Sequence, residues 1–441
     1  KAMEKLEWLV VKDIFETETA AFWKAPGVDP KAIKTEVFFL PSATALEKEG
    51  SFTNTMRLLQ WHHKAAESPG DCRSDAWFVY DLGRRLKKLY AGSTEKKDRP
   101  ILDMTWDYGE KEPDMVKVLK EINGYTVADG KPVPGFGALK DDGSTACGNW
   151  IYSGVYPEEG KNRAASRSKT GLGLGLAHGW GFSWPANRRI LYNRASADPS
   201  GKPWSERKKV IWWDEEKKKW VGYDVPDFKA DLPPDAKKFE DGPFKGLGGL
   251  DPFIMKAEGK GGIFALAVDG PIPEHYEPVE SPIKNPLSKL QNNPMAKVYK
   301  SDLNKVGTPD KFPIVMLTNR VTEHHLAGGM SRNLPWLAEA FASHFFEISP
   351  ELAKEKGISD GDICTIITAR GKITTRAMIT ERIRPLTMDG KKVHYIGIPW
   401  HWGFMGIATG DIANNLTGHF ADPNVFIQEK ALLCDVKKGV V

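Results

Sequence analysis

The stretch Phe345 to Thr380, FFEISPELAKEKGISDGDICTIITARGKITTRAMIT, decides the fold of the C-terminal part of this 441-residue chain. Its runs of β-branched and aromatic residues predict strands, and its Gly-Asp and Arg-Gly pairs predict the turns between them. The residues after the first run predict a short helix, because Ser349 suits the N-cap, Pro350 the first helical position and Gly357 the stop. The stretch therefore predicts short strands around one small helix.

Two further strand-like runs flank this stretch, IVMLTNR at residues 314–320 and VHYIGIPW at residues 393–400. Several short strands separated by turn signals are typical of sandwiches and barrels. Residues 301–441 are therefore predicted to form a β-barrel-like domain.

The N-terminal region has a different pattern, a strand followed by a helix. LEWLVV at residues 6–11 predicts a strand, and FETETAAFW at residues 15–23 predicts a helix that begins near Thr17. A second strand is predicted from Glu36 to Leu40, and such a pair is expected to be parallel with the helix as its crossover. Because two strands are too few for a stable sheet, residues 1–95 are predicted to be the tail of a larger α/β domain.

Residues 96–300 are rich in Gly, Pro and Trp and contain few long regular runs. Long irregular segments in folded proteins are usually functional or wrap another part of an assembly, and the tryptophans argue for wrapping over disorder. Within this region, WWDEEKKKWVGY at residues 212–223 predicts a hairpin with a charged turn, in preference to an aromatic platform for sugars. The region is therefore predicted to pack on other protein surface.

The composition excludes several classes of protein. The 62 basic and 58 acidic residues give a net charge of +4 spread along the chain, so no nucleic-acid-binding arm is indicated. The longest apolar runs are far shorter than the roughly 20 residues that a membrane span needs. The cysteines are widely separated, so spacing predicts no zinc or iron–sulfur ligand set and favours buried apolar roles; they are Cys72, Cys147, Cys364 and Cys434.

Two kinds of motif suggest a binding site, one for a dinucleotide and one for a metal, but a purely structural role is favoured for both. GLGLG at residues 171–175 follows basic residues instead of a strand, and no helix pattern opens after it, so a dinucleotide-binding loop is disfavoured there. The pairs His62-His63 and His324-His325 are adjacent in sequence. Neighbouring side chains on a helix or strand point in different directions, so neither pair is expected to chelate a metal by itself.

Several longer motifs agree with one known family. From the N-terminal part these are DIFETETAAFW (13–23), FLPSA (39–43), EKEGSFTN (47–54), RLLQWH (57–62), CGNWIYSG (147–154) and RRILYNRASADP (188–199), and from the C-terminal part TNRVTEHH (318–325), IPWHWG (398–403) and ANNLT (413–417). Together they resemble the molybdopterin oxidoreductases, most closely the catalytic subunits of membrane-associated or periplasmic formate dehydrogenases.

The resemblance implies a fold, a cofactor and an activity. It implies the tail of a doubly wound parallel α/β domain that binds a dinucleotide, a wrapping insertion, and a six-stranded double-psi β-barrel domain that binds a molybdopterin dinucleotide. A tungsten or molybdenum ion held by two pyranopterin guanine dinucleotides would interconvert formate and carbon dioxide.

The family's iron–sulfur cysteines and metal-ligating selenocysteine or cysteine match no motif here, so we expect this chain to be the C-terminal half of a longer subunit. The missing half is expected to hold a [4Fe-4S] cluster and the catalytic residues. An iron–sulfur beta subunit, a cytochrome or membrane subunit and a periplasmic location are implied as well.

The resemblance also assigns contacts to the cofactor. Asp13 is implied as a guanine or ribose acceptor and Thr17 as a phosphate contact at a helix start. The other implied contacts are Arg320, Val321, His324, Leu326, Trp400, His401, Asn415 and Lys430. Ordinary roles stay open for several of them: a turn for Asp13 or Asn415, a cap for Thr17, a core histidine at position 324 and a surface lysine at position 430.

One motif departs from the family, because Glu429 stands where relatives tend to have an aromatic residue. Two other functions also remain open. The chain would fit another molybdopterin enzyme, such as a nitrate or polysulfide reductase, or a non-catalytic module that only clamps a partner.

Overall fold

A computed structural model of the protein describes residues 2–170, 177, 179–190, 193–226, 229–241, 248–249, 275–294, 296–302, 304–421 and 431–441. The strands, numbered in chain order, are β1 Trp8–Asp13, β2 Glu36–Pro41, β3 Gly50–Thr53, β4 Leu58–His62, β5 Tyr125–Thr126, β6 Thr145–Ala146, β7 Gly181–Phe182, β8 Ile211–Asp214, β9 Lys219–Gly222, β10 Lys297–Val298, β11 Ile314–Asn319, β12 Phe345–Ile348, β13 Ile363–Ile367, β14 Lys372–Ile379, β15 Leu386–Met388, β16 Lys391–Val393, β17 Tyr395–Pro399, β18 Phe420–Ala421 and β19 Ala431–Lys438. The α-helices are α1 Asp75–Leu89, α2 Arg99–Leu102, α3 Met115–Asn123, α4 Pro335–Ala340 and α5 Pro350–Lys356.

The chain divides into two units. The first unit consists of Lys1–Pro41 together with Phe264–Val441, and the second unit consists of Ser42–Ile263. The domain boundaries predicted at residues 95 and 300 stay predictions.

Six strands of the first unit close into a barrel, in the order β11, β17, β12, β14, β13, β19. The pairs β11–β17 and β12–β14 are parallel, and the remaining neighbours are antiparallel. The predicted β-barrel is therefore confirmed, with mixed strand directions. Alternate residues of β14 point inward, as expected for strands with one buried face. Among the fully buried core residues are Met316, Phe346, Ile366, Ile396, Ile398 and Leu432.

The predicted helix inside the deciding stretch is also confirmed. The side chain of Ser349 caps α5 by accepting a hydrogen bond from the backbone N–H of Leu352 at 3.1 Å. The helix ends at Gly357, whose φ of 65° is the left-handed conformation that suits glycine. The sequence signals for both helix ends therefore operate as predicted.

The N-terminal strands β1 and β2 pair in parallel, with Trp8 opposite Glu36 and Asp13 opposite Pro41. The parallel pair is as predicted. Large apolar side chains on it are exposed: Trp8 is 60% exposed and Phe38 is 43% exposed. These described residues therefore present apolar surface of the kind that a larger sheet would cover.

The helix predicted over residues 15–23 is wrong. A single turn forms instead, in which the N–H of Ala21 donates to the carbonyl of Thr17 at 3.0 Å, followed by a 3₁₀ helix at Phe22–Lys24. A helix of this length gains little from propensity alone, and Pro26 and Gly27 follow at once. Glu18 within this turn also makes tertiary contacts, with Arg332 and Met405.

The second unit contains α1, α2, α3, the three-stranded sheet β3–β4–β7 and short strand pairs. The predicted hairpin at residues 212–223 is confirmed, because β8 and β9 are antiparallel with Trp212 opposite Val221. Its Trp220 is buried, whereas Trp150 and Trp204 are 53% and 68% exposed.

The wrapping role of residues 96–300 stays a prediction. The GLGLG motif lies outside the described residues.

Among the described residues, no helix combines the length and the hydrophobicity that crossing a membrane requires.

Truncating a core residue tests the barrel. Ile396 of β17 is fully buried, so we expect Ile396→Ala to lower the free energy of unfolding by about 2–5 kcal/mol through lost burial and a cavity. The matched control is Ile363→Ala on β13, because Ile363 is 37% exposed. Urea denaturation of both variants measures the difference, and equal losses would contradict the packing described for β17.

Candidate functional site

Two loops leave the same end of the barrel because the strands before them are parallel. In the β11–β17 register, Asn319 lies opposite Pro399, so the chain leaves both strands at one edge. We call residues 320–334 the first loop and residues 400–408 the second loop. These loops contain most of the predicted contacts, namely Arg320, Val321, His324, Leu326, Trp400 and His401.

Arg320 is an exposed cation of the first loop, and the second loop supplies the surface under it. Its guanidinium carbon lies 5.3 Å from the centroid of the Trp400 ring. A guanidinium stacked over an indole is held by cation–π attraction while its N–H groups point outward from the edge. The pair is therefore suited to bind an anionic group.

His401 joins the two loops from a fully buried position. Its Nε2 accepts a hydrogen bond of 3.0 Å from the backbone N–H of Val321, which places the proton of the neutral ring on Nδ1. Burial lowers the pKa of His401, so the ring stays neutral near pH 7. The backbone of Leu326 opposes this pKa shift, yet the buried Nδ1 makes no hydrogen bond of regular geometry among the described residues, so its N–H can be satisfied by a bound group.

His324 is buried as well, but its ring is already bonded within the chain. Its Nδ1 lies 3.2 Å from the hydroxyl of Ser331, and its Nε2 lies 2.9 Å from the carbonyl oxygen of Phe341. Both ring nitrogens thus have protein partners. These contacts favour the alternative of a core histidine at this position.

Leu326 contributes through its backbone conformation. It has a φ of 46° and is 49% exposed. A left-handed conformation is unfavourable for a branched side chain, and such strain concentrates at ligand-binding sites and switches. The first loop is therefore held in a shape that local preferences alone would not select.

An aromatic cluster lies behind the two loops, and four of its members were not predicted as site residues. It consists of His324, Phe341, His344, Phe345, His401 and Trp402. The ring centroid of Trp402 lies 5.1 Å from that of His324 and 5.4 Å from that of His344. The indole N–H of Trp402 and Nδ1 of His344 are buried without a partner among the described residues. The sequence offered one signal, the motif IPWHWG, which contains Trp402.

The burial of His344 also shifts its pKa. Its Nε2 lies 2.9 Å from the carbonyl oxygen of Pro399, so the neutral ring donates from that nitrogen. Burial lowers the pKa of His344 to about 4, while the Pro399 carbonyl opposes the shift. The ring therefore stays neutral in the folded protein under mildly acidic conditions.

The remaining predicted contacts lie in other segments. Asp13 is the last residue of β1, and its carboxylate accepts a hydrogen bond of 2.7 Å from the N–H of Ile14, which is a turn-forming contact. Thr17 lies in the turn that replaces the predicted helix, so its assignment to a helix start is wrong. Asn415 is exposed at the end of a 3₁₀ helix, and Lys430 lies outside the described residues.

Two charged residues of the site were missed from the sequence. Glu18 and Arg332 are 314 positions apart, yet Nη2 of Arg332 lies 2.8 Å from Oε1 of Glu18. The signal for Arg332 was weak, a single charge in the stretch LAGGMSRNLPWL, and nothing local marked Glu18 for this role.

Within the described part of the chain, no group of three or more His, Cys, Asp or Glu side chains could hold a metal ion. Cys364 and Cys434 are fully buried in the barrel. Burial raises the pKa of both thiols, so they are poor nucleophiles and poor ligands.

Two family profiles match this chain. Residues 314–427 match the Molydopterin dinucleotide binding domain, and residues 33–85 match Molybdopterin oxidoreductase. The first match contains both loops of the barrel end. The second match begins before β2 and extends into α1.

Curated relatives match along nearly the whole chain. It is 42% identical to the formate dehydrogenase subunit alpha of Megalodesulfovibrio gigas, across 100% of this chain. It is 43% identical to formate dehydrogenase 2 subunit alpha (cytochrome c-553) of Nitratidesulfovibrio vulgaris and 40% identical to the nitrate-inducible formate dehydrogenase major subunit of Escherichia coli, each across 99% of this chain. The chain spans 44% of the length of each of these three relatives.

A solved structure, acetylene hydratase from Pelobacter acetylenicus, aligns with 98% of this chain and 40% of its own, with a TM-score of 0.43 and 14% identity.

The pKa of His344 predicts a pH dependence of stability. The unfolded ring has a pKa near 6.5 and the folded ring near 4, so between these values the unfolded state binds more protons. Stability therefore falls as the pH drops through this window, by a total on the order of 3 kcal/mol from this group.

We expect His344→Gln to lose much of this slope, measured as the free energy of unfolding in urea from about pH 7 to pH 4. The matched control is His63→Gln, because the His63 side chain is 73% exposed. An unchanged slope in His344→Gln would contradict a buried neutral ring.

Proposed function

The chain belongs to the molybdopterin oxidoreductase family, and from this membership we propose that it is the cofactor-binding C-terminal part of a formate dehydrogenase catalytic subunit. One observation carries the proposal: identity of 40–43% to three formate dehydrogenase subunits extends along the whole chain. The barrel end supports it, because the dinucleotide-binding match contains the two loops.

The residues of the barrel end fit a pyranopterin guanine dinucleotide. Such a group carries phosphates and a heterocycle with hydrogen-bond acceptors and donors. Arg320, oriented over Trp400, matches the anionic part. The buried N–H group of His401, which makes no hydrogen bond of regular geometry among the described residues, matches an acceptor. Arg332 is not available for this purpose because Glu18 neutralises it.

When bound, a cofactor of this kind supplies the two-electron redox chemistry that interconverts formate and carbon dioxide. The residues described here would bind and orient it. Arg320 would hold a phosphate or the pterin edge, and the neutral ring of His401 would donate a hydrogen bond from Nδ1. The backbone N–H of Val321 fixes that tautomer by donating to Nε2. Asp13 would accept from guanine N–H groups, at the end of β1.

Finer features of the protein follow from the same proposal. The metal would be tungsten or molybdenum, bound by two dinucleotides and by a selenocysteine or cysteine outside residues 1–441. A [4Fe-4S] cluster would lie in the N-terminal half of the subunit. The barrel would have the double-psi connection, and β1 and β2 would join a doubly wound sheet. The exposed Trp8 and Phe38 support that larger sheet.

Partner subunits and location are part of the proposal as well. An iron–sulfur beta subunit would take the electrons onward, with a cytochrome or membrane subunit as the next acceptor. The complex would work in the periplasm. The name of one relative mentions cytochrome c-553, which supports an electron acceptor of that class.

Composition and turnover test the proposal against its two alternatives. We expect the purified full-length protein to contain tungsten or molybdenum with two guanines per metal, and to reduce a redox dye only when formate is added. Metal and guanine without formate-dependent reduction would favour another molybdopterin enzyme. A protein without metal and guanine would favour a clamping module.

Arg320→Ala tests the barrel-end site directly. The variant loses a charge-assisted contact to the cofactor, so we expect guanine content to fall and formate turnover to fall with it, by at least about tenfold for a loss of 1.5 kcal/mol or more. The control is Lys391→Ala, which removes an exposed cation from β16 of the same unit. Full guanine content and unchanged turnover in Arg320→Ala would reject the assignment.

A further inference from the structure

We propose that the ion pair of the buried Arg332 with the partly exposed Glu18, whose side chains are 3% and 23% exposed, is a positioning device for the dinucleotide site. It fastens the segment after β1 to both loops of the barrel end, so that the predicted contacts on the three segments keep one relative arrangement. The inference rests on the proposed function, because it names residues that position the same cofactor. Both residues act through the loops and not by touching the cofactor.

Arg332 connects three segments from a buried position. Its side chain is only 3% exposed. Besides Glu18, its Nη1 contacts the carbonyl oxygen of Met405 in the second loop. Its backbone carbonyl accepts hydrogen bonds from the N–H groups of Ile407 at 2.9 Å and Ala408 at 3.2 Å. One residue of the first loop thus fixes the path of the second loop.

Glu18 completes the connection from the N-terminal segment. Its Oε1 accepts from Nη2 of Arg332 at 2.8 Å and from the backbone N–H of Met405 at 3.0 Å. The carboxylate therefore binds both loops at once. Because Glu18 lies between Thr17 and the buried Ala20 and Ala21, its position also sets the turn that follows Asp13.

Glycines leave room for this arrangement at two points of close approach. A Cβ atom at Gly403 would collide with the Glu18 carboxylate, and a Cβ atom at Gly328 would collide with the carbonyl oxygen of His401. Gly328 also has a φ of 76°, which a side chain would disfavour. The backbones are thus packed around the ion pair too closely for larger residues.

The ion pair is coupled to the predicted contacts through short covalent and hydrogen-bonded paths. Ser331, next to Arg332, bonds the ring of His324. Gly328, whose carbonyl accepts from the N–H of Arg332 at 2.9 Å, packs on the backbone of His401. Removing one partner would leave a buried charge uncompensated. The loops would then shift to hydrate it, and His401 would move with them.

The test separates positioning from stability. The variants are Glu18→Gln, Arg332→Gln and Gly403→Ala in the full-length protein, and the stability comparator is Ile366→Ala, which truncates a fully buried core residue of β13, a strand that leads into neither loop. Gly137→Ala is the matched glycine control, because a Cβ there meets nothing within 4 Å. Each protein is purified with its cofactor. The rate at which the guanine-containing cofactor leaves the protein and the melting temperature are then measured at the same protein concentration.

We expect Glu18→Gln and Gly403→Ala to lose the guanine-containing cofactor at least about tenfold faster than Ile366→Ala, even where Ile366→Ala has an equal or lower melting temperature, while Gly137→Ala matches the unsubstituted protein. We also expect the double variant of Glu18→Gln with Arg332→Gln to lose the cofactor more slowly than the two single rate increases multiplied together would predict. The reason is that removing both charges leaves neither of them without its partner.

Two results would overturn the inference, and they are distinguishable. If the rate of cofactor loss depends only on the melting temperature in every variant, the ion pair is only structural, and the proposed function stands. If the unsubstituted protein contains no guanine, the proposed function fails and this inference fails with it.

Discussion

The parallel pairing of β11 with β17 is the constraint on which the candidate site depends. The register that sets Asn319 against Pro399 brings two loops, separated by some eighty residues of sequence, to one end of the barrel. An antiparallel pair would send the loops to opposite ends. The stacking of Arg320 on Trp400 and the bond from Val321 to His401 both follow from this one choice of direction.

Ion pairs with buried members then fix the positions of segments that strand pairing does not determine. Within the first unit, Arg370 and Glu280 form an ion pair of 2.5 Å with side chains 2% and 0% exposed, and Glu280 also accepts from the N–H of Leu433 in β19. Glu18 and Arg332 do the same for the loops. A buried ion pair adds little net stability but is costly to break. Such pairs therefore select one arrangement of segments over its alternatives.

The sequence predicted what local patterns encode. The strands of the barrel, the capped helix that ends at Gly357 and the parallel pair β1–β2 follow from alternation, capping and turn residues, and all are present. The helix expected from Thr17 is absent, and Glu18 in the turn that replaces it bonds instead to Arg332 and Met405, residues more than 300 positions away. No window of local sequence contains that information, and the same reason hid Arg332 and His344 from the prediction.

Arg320 and Arg332 have different roles because their surroundings differ. Both lie in the first loop, and residue type alone would make either one an anion contact. Arg332 is buried, and its two terminal nitrogens bond a carboxylate and backbone carbonyls, while its Nε has no partner among the described residues. Its charge is therefore mostly used inside the protein. Arg320 is exposed and rests on an aromatic ring, which orients a cation without neutralising it. An anionic ligand at this barrel end would therefore meet the charge of Arg320, in a geometry that Arg332 maintains.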